Sequence, residues 1–151
     1  MVDYGNENLE FDAAGMTRDE FNAFCVRLPA TSHVVQWGNS DVWKIGGKVF
    51  AICGWNAGKV PGITFKVSDI AFEMLRDMDG LRPAPYLASR GMKWIQRHGE
   101  SGLERNDLEQ YLTQSYLIVA NGLSRKTRRA LGLQAEQPPE PSLGGSTGVA
   151  E

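Results

Sequence analysis

Two adjacent glycines, Gly46 and Gly47, are the feature that most limits the folds open to this chain. They separate two strand-like runs, Val42 to Ile45 and Lys48 to Trp55. A two-residue hairpin turn needs positive φ angles, which glycine adopts without steric cost. The pair therefore predicts a tight β-hairpin and an antiparallel sheet around it.

The segments on either side of this hairpin also alternate with a period near two, as strands do. Turn residues bound them at 38–41 and 56–62, and a Pro-x-Pro segment leads into a turn at 86–91. The pattern predicts a meander of about four antiparallel strands, followed later by two short strands. The expected strands lie at 33–37, 42–45, 48–55, 63–67, 81–84 and 92–97.

Two helices are predicted from capping residues and apolar spacing. Thr17 and Glu20 form a capping box, in which each side chain bonds the other residue's backbone amide, and Pro29 ends the helix that follows. Ser68 is a predicted N-cap for a second, short helix that ends near Gly80. The expected apolar stripe of this second helix is Ile70, Ala71, Met74 and Leu75.

The C-terminal third of the chain predicts one long helix and one short one. The long helix ends at Asn121–Gly122, and Ser124 caps a short segment through Leu131. The order α-β4-α-β2-α indicates a two-layer α+β fold, with an antiparallel sheet of about six strands and the helices on one face. The apolar face of the long helix comprises Leu108, Tyr111, Leu112, Ser115, Ile118, Val119 and Gly122.

The net charge of −2 conceals an uneven distribution. Residues 1–15 hold four acidic residues and residues 134–151 hold three, and neither stretch has a basic residue. Residues 16–133 therefore carry all 16 Lys and Arg against 11 acidic residues, a net charge of +5. We interpret 1–15 as a flexible acidic leader, 16–133 as a single domain and 134–151 as a disordered tail rich in Pro and Gly.

Several function classes lack support in the sequence. Cys25 and Cys53 have no CxxC spacing and fall on elements expected to be buried, so we interpret them as core residues. With His33 and His98 they make no recognisable zinc pattern, and no phosphate loop or catalytic motif is present. We expect a non-catalytic protein with no metal or cofactor. Since neither a secretory signal nor a membrane span is recognisable, we expect it in the cytoplasm, without membrane partners.

Two clusters of basic residues are the candidates for a nucleic-acid contact. Lysine and arginine neutralise phosphates, and an exposed aromatic ring can stack on bases. The alternative is that Trp94 belongs to the core and the charges only keep the surface solvated. The first cluster, around Trp94, is Arg90, Lys93 and Arg97, and the second is Arg125, Lys126, Arg128 and Arg129.

The segment Arg82–Ile95 (RPAPYLASRGMKWI) resembles the MmcQ/YjbR family of small bacterial proteins. Further matches are the hairpin segment 46–52 (GGKVFAI), the strand end 65–67 (FKV) and the helical segment 115–123 (SYLIVANGL). The resemblance covers about residues 17–131, and the order of these segments is more specific than any one of them. The resemblance implies a two-layer α+β fold like that of frataxin-like or secretion-chaperone-like proteins. A frataxin-type iron role would need an acidic first helix, and this one offers only Asp19 and Glu20 near its start.

Members of this family are often labelled DNA-binding because of a proposed double-wing arrangement. By that resemblance the wings here would be the hairpin with Lys44 and Lys48, and the turn at 86–91 with Arg90 and Lys93. No helix rich in Arg, Asn and Gln is evident for reading base edges, so we expect contacts to phosphates. DNA is accordingly the expected partner.

Two other functions stay open from the residues. The chaperone-like fold fits a protein-interaction module, and we expect a monomer or a weak homodimer. The other function is a small-molecule pocket, for which Lys66 is a candidate because it lies on the opposite strand face from Phe65 and Val67. The aromatic candidates for this pocket are Trp37, Trp43, Trp55, Tyr86 and Trp94.

Overall fold

The structure is a computed structural model that describes residues 15–56, 60–87 and 90–133. The predicted acidic leader, apart from Gly15, and the predicted tail lie outside these ranges. No helix in the described part of the chain is long and apolar enough to cross a bilayer. The helices are α1 (Arg18–Val26), α2 (Asp69–Leu75), α3 (Arg105–Asn121) and α4 (Arg125–Ala130), and the strands are β1 (Thr31–Gln36), β2 (Ser40–Ile45), β3 (Lys48–Cys53), β4 (Ile63–Lys66), β5 (Leu81–Pro83) and β6 (Trp94–Arg97).

The six strands form one open sheet in the order β1-β2-β3-β4-β6-β5. Every neighbouring pair is antiparallel. The predicted α+β class and the predicted sheet of about six strands are therefore confirmed. Because β4 stands between β3 and β6, the two late strands extend the meander instead of forming a separate sheet.

The turn at Gly46 and Gly47 joins β2 to β3 as predicted. Both residues have positive φ angles, +61° and +80°. A Cβ atom at Gly46 would also come within 2.7 Å of the Leu123 side chain. The hairpin tip therefore lies against the corner between α3 and α4, which positions Lys48 close to the end of the long helix.

One face of the sheet and the helices enclose the main hydrophobic core. Phe65 and Ile95 contribute from the strands, and Leu108 and Leu112 from α3, and all four are fully buried. We call this sheet face the inner face and the opposite one the outer face. The sequence predicted that the helices would cover a single face of the sheet.

Both cysteines lie in this core with free thiols, as the sequence predicted. Burial is the main cause that raises the pKa of both thiols, and that of Cys53 reaches about 11. Both groups therefore stay protonated at neutral pH and are poor nucleophiles.

All three predicted helix caps are present, and the Ser124 hydroxyl accepts from the Thr127 amide over 3.1 Å. The Glu20 amide donates to the Thr17 hydroxyl oxygen over 3.1 Å, and the Thr17 amide donates to a Glu20 carboxylate oxygen over 2.8 Å. The Ser68 hydroxyl accepts from the Ala71 amide over 3.2 Å. These bonds satisfy amides that a helix start would leave without a partner, and they set where α1 and α2 begin.

Half of the apolar stripe predicted for α2 was wrong, since Ala71 and Leu75 pack in or against the core but Ile70 and Met74 do not. Ile70 and Met74 are exposed by 75% and 65%, whereas Phe72 and Leu75 are buried. A seven-residue helix can turn only one face to the sheet. The face with Phe72 places an aromatic ring in the core, and burying that ring removes more apolar area from water.

Candidate functional site

The outer face carries a cleft with a volume of about 530 Å³. Ile52, Lys66 and Trp94 contribute to its lining from β3, β4 and β6. Ala51 of β3 pairs with Phe65 of β4, and β4 ends one residue later, at Lys66. Strand β3 begins at Lys48, so its first residues extend past the end of β4. Residues of α3 line the cleft as well. The complete lining is Trp37, Lys48, Val49, Ile52, Trp55, Lys66, Leu87, Met92, Trp94, Ile118, Val119 and Gly122.

The charge of the cleft comes from Lys48 and Lys66, and none of the described residues that line it is acidic. The Lys66 ammonium lies 5.6 Å from the centre of the Trp94 ring. At that distance the face of an indole ring attracts a cation. The Ser115 hydroxyl donates to the Lys66 carbonyl oxygen over 2.6 Å, which fixes the end of β4. The lysine is thus held at the cleft with its charge uncompensated by the lining.

Trp94 forms part of the wall and is only 4% exposed. Within the described residues its indole N–H has no hydrogen-bond partner. A buried donor without an acceptor destabilises the folded state by about 1–3 kcal/mol. Buried polar groups in native proteins nearly always have a partner, so the cleft wall carries an exception to that rule.

Three aromatic side chains form a continuous rim along the cleft. The ring centroids of Trp37 and Trp55 are 5.6 Å apart, and those of Trp55 and Tyr86 are 5.9 Å apart. Both distances lie in the range where aromatic pairs attract each other. Trp37 is nevertheless 48% exposed and Tyr86 73% exposed. We call these three residues the aromatic rim.

Each residue of the aromatic rim has a left-handed backbone, with φ of +55° at Trp37, +62° at Trp55 and +68° at Tyr86. Bulky side chains rarely adopt this region, which costs about 1–3 kcal/mol per residue. At Tyr86 the strain is part of a tight turn, because the Leu87 amide donates to the Pro85 carbonyl oxygen over 2.7 Å. Such strain concentrates at functional sites.

Hydrogen bonds from the sheet hold two of these strained loops. The Ser40 hydroxyl donates to the Trp37 carbonyl oxygen over 3.1 Å. Gln96 is fully buried on β6, and its side-chain amide donates to the Trp55 carbonyl oxygen over 3.0 Å. Its carbonyl oxygen in turn accepts from the Arg82 guanidinium over 2.8 Å. Two of the three residues of the aromatic rim, Trp37 and Trp55, are therefore fixed to the sheet.

Several of the predicted basic residues lie on segments that border the cleft. Lys48 lines it directly, and Arg90 is exposed in the turn between Leu87 and Met92, which also line it. Lys44 is paired across the hairpin with Val49, another lining residue. Gly122 lines the cleft just before α4, where Arg125, Lys126 and Arg129 are exposed.

Other predicted basic residues are engaged elsewhere. The predicted surface role of Arg97 was wrong, since its side chain faces the inner side and is 2% exposed. Burial lowers the pKa of its guanidinium, and Glu100 opposes that shift. The Lys93 ammonium lies 4.7 Å from the Phe72 ring, on the side of α2. Arg128 donates to the carbonyl oxygens of Asn121 and Leu123 over 3.0 and 2.8 Å, so it closes the end of α3.

The structure brings most of the aromatic residues predicted for a pocket to this cleft. Trp37, Trp55 and Trp94 line the cleft, and Tyr86 extends its rim. Trp43 is not part of it, because strand alternation turns this residue to the inner face. There its indole N–H donates to the Asn22 side chain over 2.8 Å, and its ring centroid lies 4.8 Å from that of His33.

A second polar cluster lies away from the cleft and links α1 to the sheet. The Arg18 guanidinium donates to Asp41 over 2.6 Å, and a His33 ring nitrogen lies 2.7 Å from the other carboxylate oxygen. Burial alone would raise the pKa of Asp41, but hydrogen bonds to His33, Asn22 and Arg18 lower it below its usual value. Among the described residues, no group of three or more His, Cys, Asp or Glu could hold a metal ion.

Comparisons with known proteins give a family and a fold. The family model described as YjbR matches residues 26–118, which is more than half of the chain. A crystal structure of the Deinococcus radiodurans protein DR2400, described with a DUF419 domain, superposes with a TM-score of 0.69 and 22% identity. The alignment covers 90% of this chain and 99% of the other. No curated protein matches the chain.

Proposed function

The chain belongs to the YjbR family, and we propose that it is a non-catalytic DNA-binding protein that contacts phosphates. The observation that carries this proposal is that three separate segments with exposed cations border one cleft. These segments are the β2–β3 hairpin tip, the turn between β5 and β6, and the corner between α3 and α4. A polyanion lying across the cleft would meet all three.

The exposed cations on these segments are Lys48, Arg90, Arg125, Lys126 and Arg129. In B-DNA each phosphate neutralised by a protein cation contributes about −0.9 to the slope of log K against log salt. Contact by all five would give a slope of roughly −4 to −5. Arg97, Lys93 and Arg128 are left out of this set because their side chains are engaged elsewhere.

The experiment is a titration of the protein with duplex DNA at two or more salt concentrations. We expect the double variant Arg125→Gln/Lys126→Gln to weaken binding at low salt and to reduce the salt slope by about 2. The matched control is Arg76→Gln/Lys93→Gln, which removes the same charge beside the Phe72 ring on the other side of the sheet. The control has the same net charge as the double variant. It should nevertheless keep the salt slope of the unmodified protein.

Two results would reject the proposal. The first is an affinity weaker than ~100 µM at low salt, or one that does not change with salt. The second is an equal loss of salt slope in the control variant, which would indicate attraction by overall charge instead of by this surface.

A second candidate, a protein-interaction module, is favoured by strand β1. This strand is an edge of the sheet, and its residues 32–35, including Val34 and Val35, are exposed. Unpaired edge strands are templates for pairing with another chain. Sedimentation of the pure protein should then show a concentration-dependent dimer that Val35→Lys abolishes. A monomer at all concentrations, with no strand-like peptide bound, would exclude it.

A further inference from the structure

We propose that the cleft on the outer face binds a small aromatic anion, meaning a free molecule with a planar ring and a carboxylate or phosphate group. This site lies in the cleft that the proposed DNA contacts border, and it shares Lys48 with them. It needs no polymer, and its central cation, Lys66, is not among the exposed cations of that surface.

The dimensions and lining of the cleft fit such a ligand. Its volume of about 530 Å³ lies within the range of roughly 300–1,000 Å³ that small-molecule sites occupy. The lining is mostly apolar, with three tryptophans and aliphatic residues from β3 and α3. Sites of this kind bury an apolar body and orient it through a few polar groups.

The charge of the lining selects for an anion. Lys48 and Lys66 are its only charged residues in the described part of the chain. Lys66 is half-buried and lies against the Trp94 ring, where part of its hydration is lost. An anionic group placed beside Lys66 would compensate this charge in a partly dehydrated site, where ion pairs are stronger than in water.

The indole N–H of Trp94 supplies the second polar feature. It is the unpartnered donor in the cleft wall, and it belongs to the ring that the Lys66 ammonium faces. The donor is covered in this structure, so a ligand oxygen reaches it only when a covering side chain shifts. Binding that provides an acceptor here would remove the cost of the unsatisfied donor.

The aromatic rim supplies the surface for the planar ring. Trp37 and Tyr86 remain largely exposed, and all three rim residues carry backbone strain. Exposed rings held in strained, hydrogen-bonded loops are pre-organised, so a ligand would not have to order them. Stacking on such a ring contributes about 1–3 kcal/mol for a nucleobase.

The test is calorimetric titration of the protein with small probes that separate the ring from the charge. Indole-3-acetate and adenosine 5′-monophosphate carry both features, with a carboxylate and a phosphate respectively. Indole, adenosine, acetate and inorganic phosphate each carry one. We expect at least one of the two complete probes to bind at least tenfold more tightly than its own halves. Which of the two binds identifies the better combination of ring and anionic group.

Two lysine variants assign the binding to the cleft. Lys66→Gln should weaken the complete probe at least tenfold. Lys93→Gln, which removes a lysine on the inner side one residue before Trp94, should leave it unchanged. The proposal is overturned if neither complete probe binds below ~1 mM, if the ring alone binds equally well, or if both variants lose the same affinity. Unfolding curves of both variants exclude loss of fold as the cause.

Discussion

The two faces of the sheet differ in what covers them. The inner face is covered by helices, and its central strand residues Phe65 and Ile95 are fully buried and apolar. The outer face is bordered by strained loops and carries Lys66, a half-buried lysine, and Gln96, a fully buried amide. Neighbouring residues of one strand thus lie in two different environments.

Within the same strands, residues on the inner face stabilise the fold, and residues on the outer face form the proposed binding site. Apolar burial against the helices contributes most of the stability of a fold like this. Strained backbone, an unsatisfied donor and exposed aromatic rings all act against stability. These three features occur together on the outer face, where the proposed ligand would bind. If folding and binding are separate in this way, substitutions on the two faces should have separate effects.

The largest expected effect is on the inner face. Phe65→Ala should lower the free energy of unfolding by about 3–5 kcal/mol, because it removes a fully buried ring that stacks on Tyr111. Lys66→Ala, one residue further on the same strand, should change stability by less than about 1 kcal/mol. Denaturant unfolding measures both. Equal losses would mean that both faces are core.

The next effect concerns Asp41, which ties α1 to the sheet. Asp41→Asn should lower the free energy of unfolding by about 1–3 kcal/mol at neutral pH, because charged hydrogen bonds to Arg18 and His33 are lost. The folded pKa of Asp41 is lowered from 3.8, so its contribution is complete above about pH 5 and is lost as the pH falls through the folded pKa.

The measurement is a set of unfolding curves from neutral to acidic pH for the variant and the unmodified protein. The difference between their stabilities should be constant above pH 5 or so and should shrink in acid. A difference that grows on acidification would contradict the assignment. Binding at the cleft should be unaffected, since the Asp41 cluster lies outside its lining.

The smallest expected effect on stability is at the aromatic rim. Trp37→Gly should change the free energy of unfolding by less than about 1 kcal/mol, because relief of the left-handed strain offsets the loss of a half-exposed ring. The same variant should weaken the complete probes of the cleft at least threefold. Unfolding and calorimetry on one preparation give both values. A large loss of stability would show that Trp37 is structural.

Much of the fold was predictable because local rules agree with one another. The glycine pair fixed a hairpin, Thr17 and Ser68 marked helix starts, and alternation located the strands. The α2 stripe was predicted wrongly because Ile70 and Met74 share helical spacing with Leu75 but not its packing. Helical spacing identifies the residues that share a face, and tertiary contacts determine whether that face is buried.

The cleft was less predictable for three-dimensional reasons. Alternation shows that Lys66 and Phe65 point to opposite sides, but it does not reveal which side the helices cover. That uncertainty misplaced Trp43 and Arg97, which both lie on the inner face. The strain at Trp55 has no sequence signal, since it depends on the hydrogen bond from Gln96, 41 residues away. In the sequence, Gln96 stands out only as a polar residue within an apolar strand.

The most direct test of the separation between the faces uses the four tryptophans as reporters. The indole N–H resonances of a ¹⁵N-labelled sample are followed while a complete probe is added. Trp37, Trp55 and Trp94 line the cleft, whereas Trp43 lies on the inner face and is bonded to Asn22. The account predicts that the first three resonances shift with a common affinity and that the Trp43 resonance stays in place. A shift of Trp43 alone, or equal shifts of all four, would contradict it.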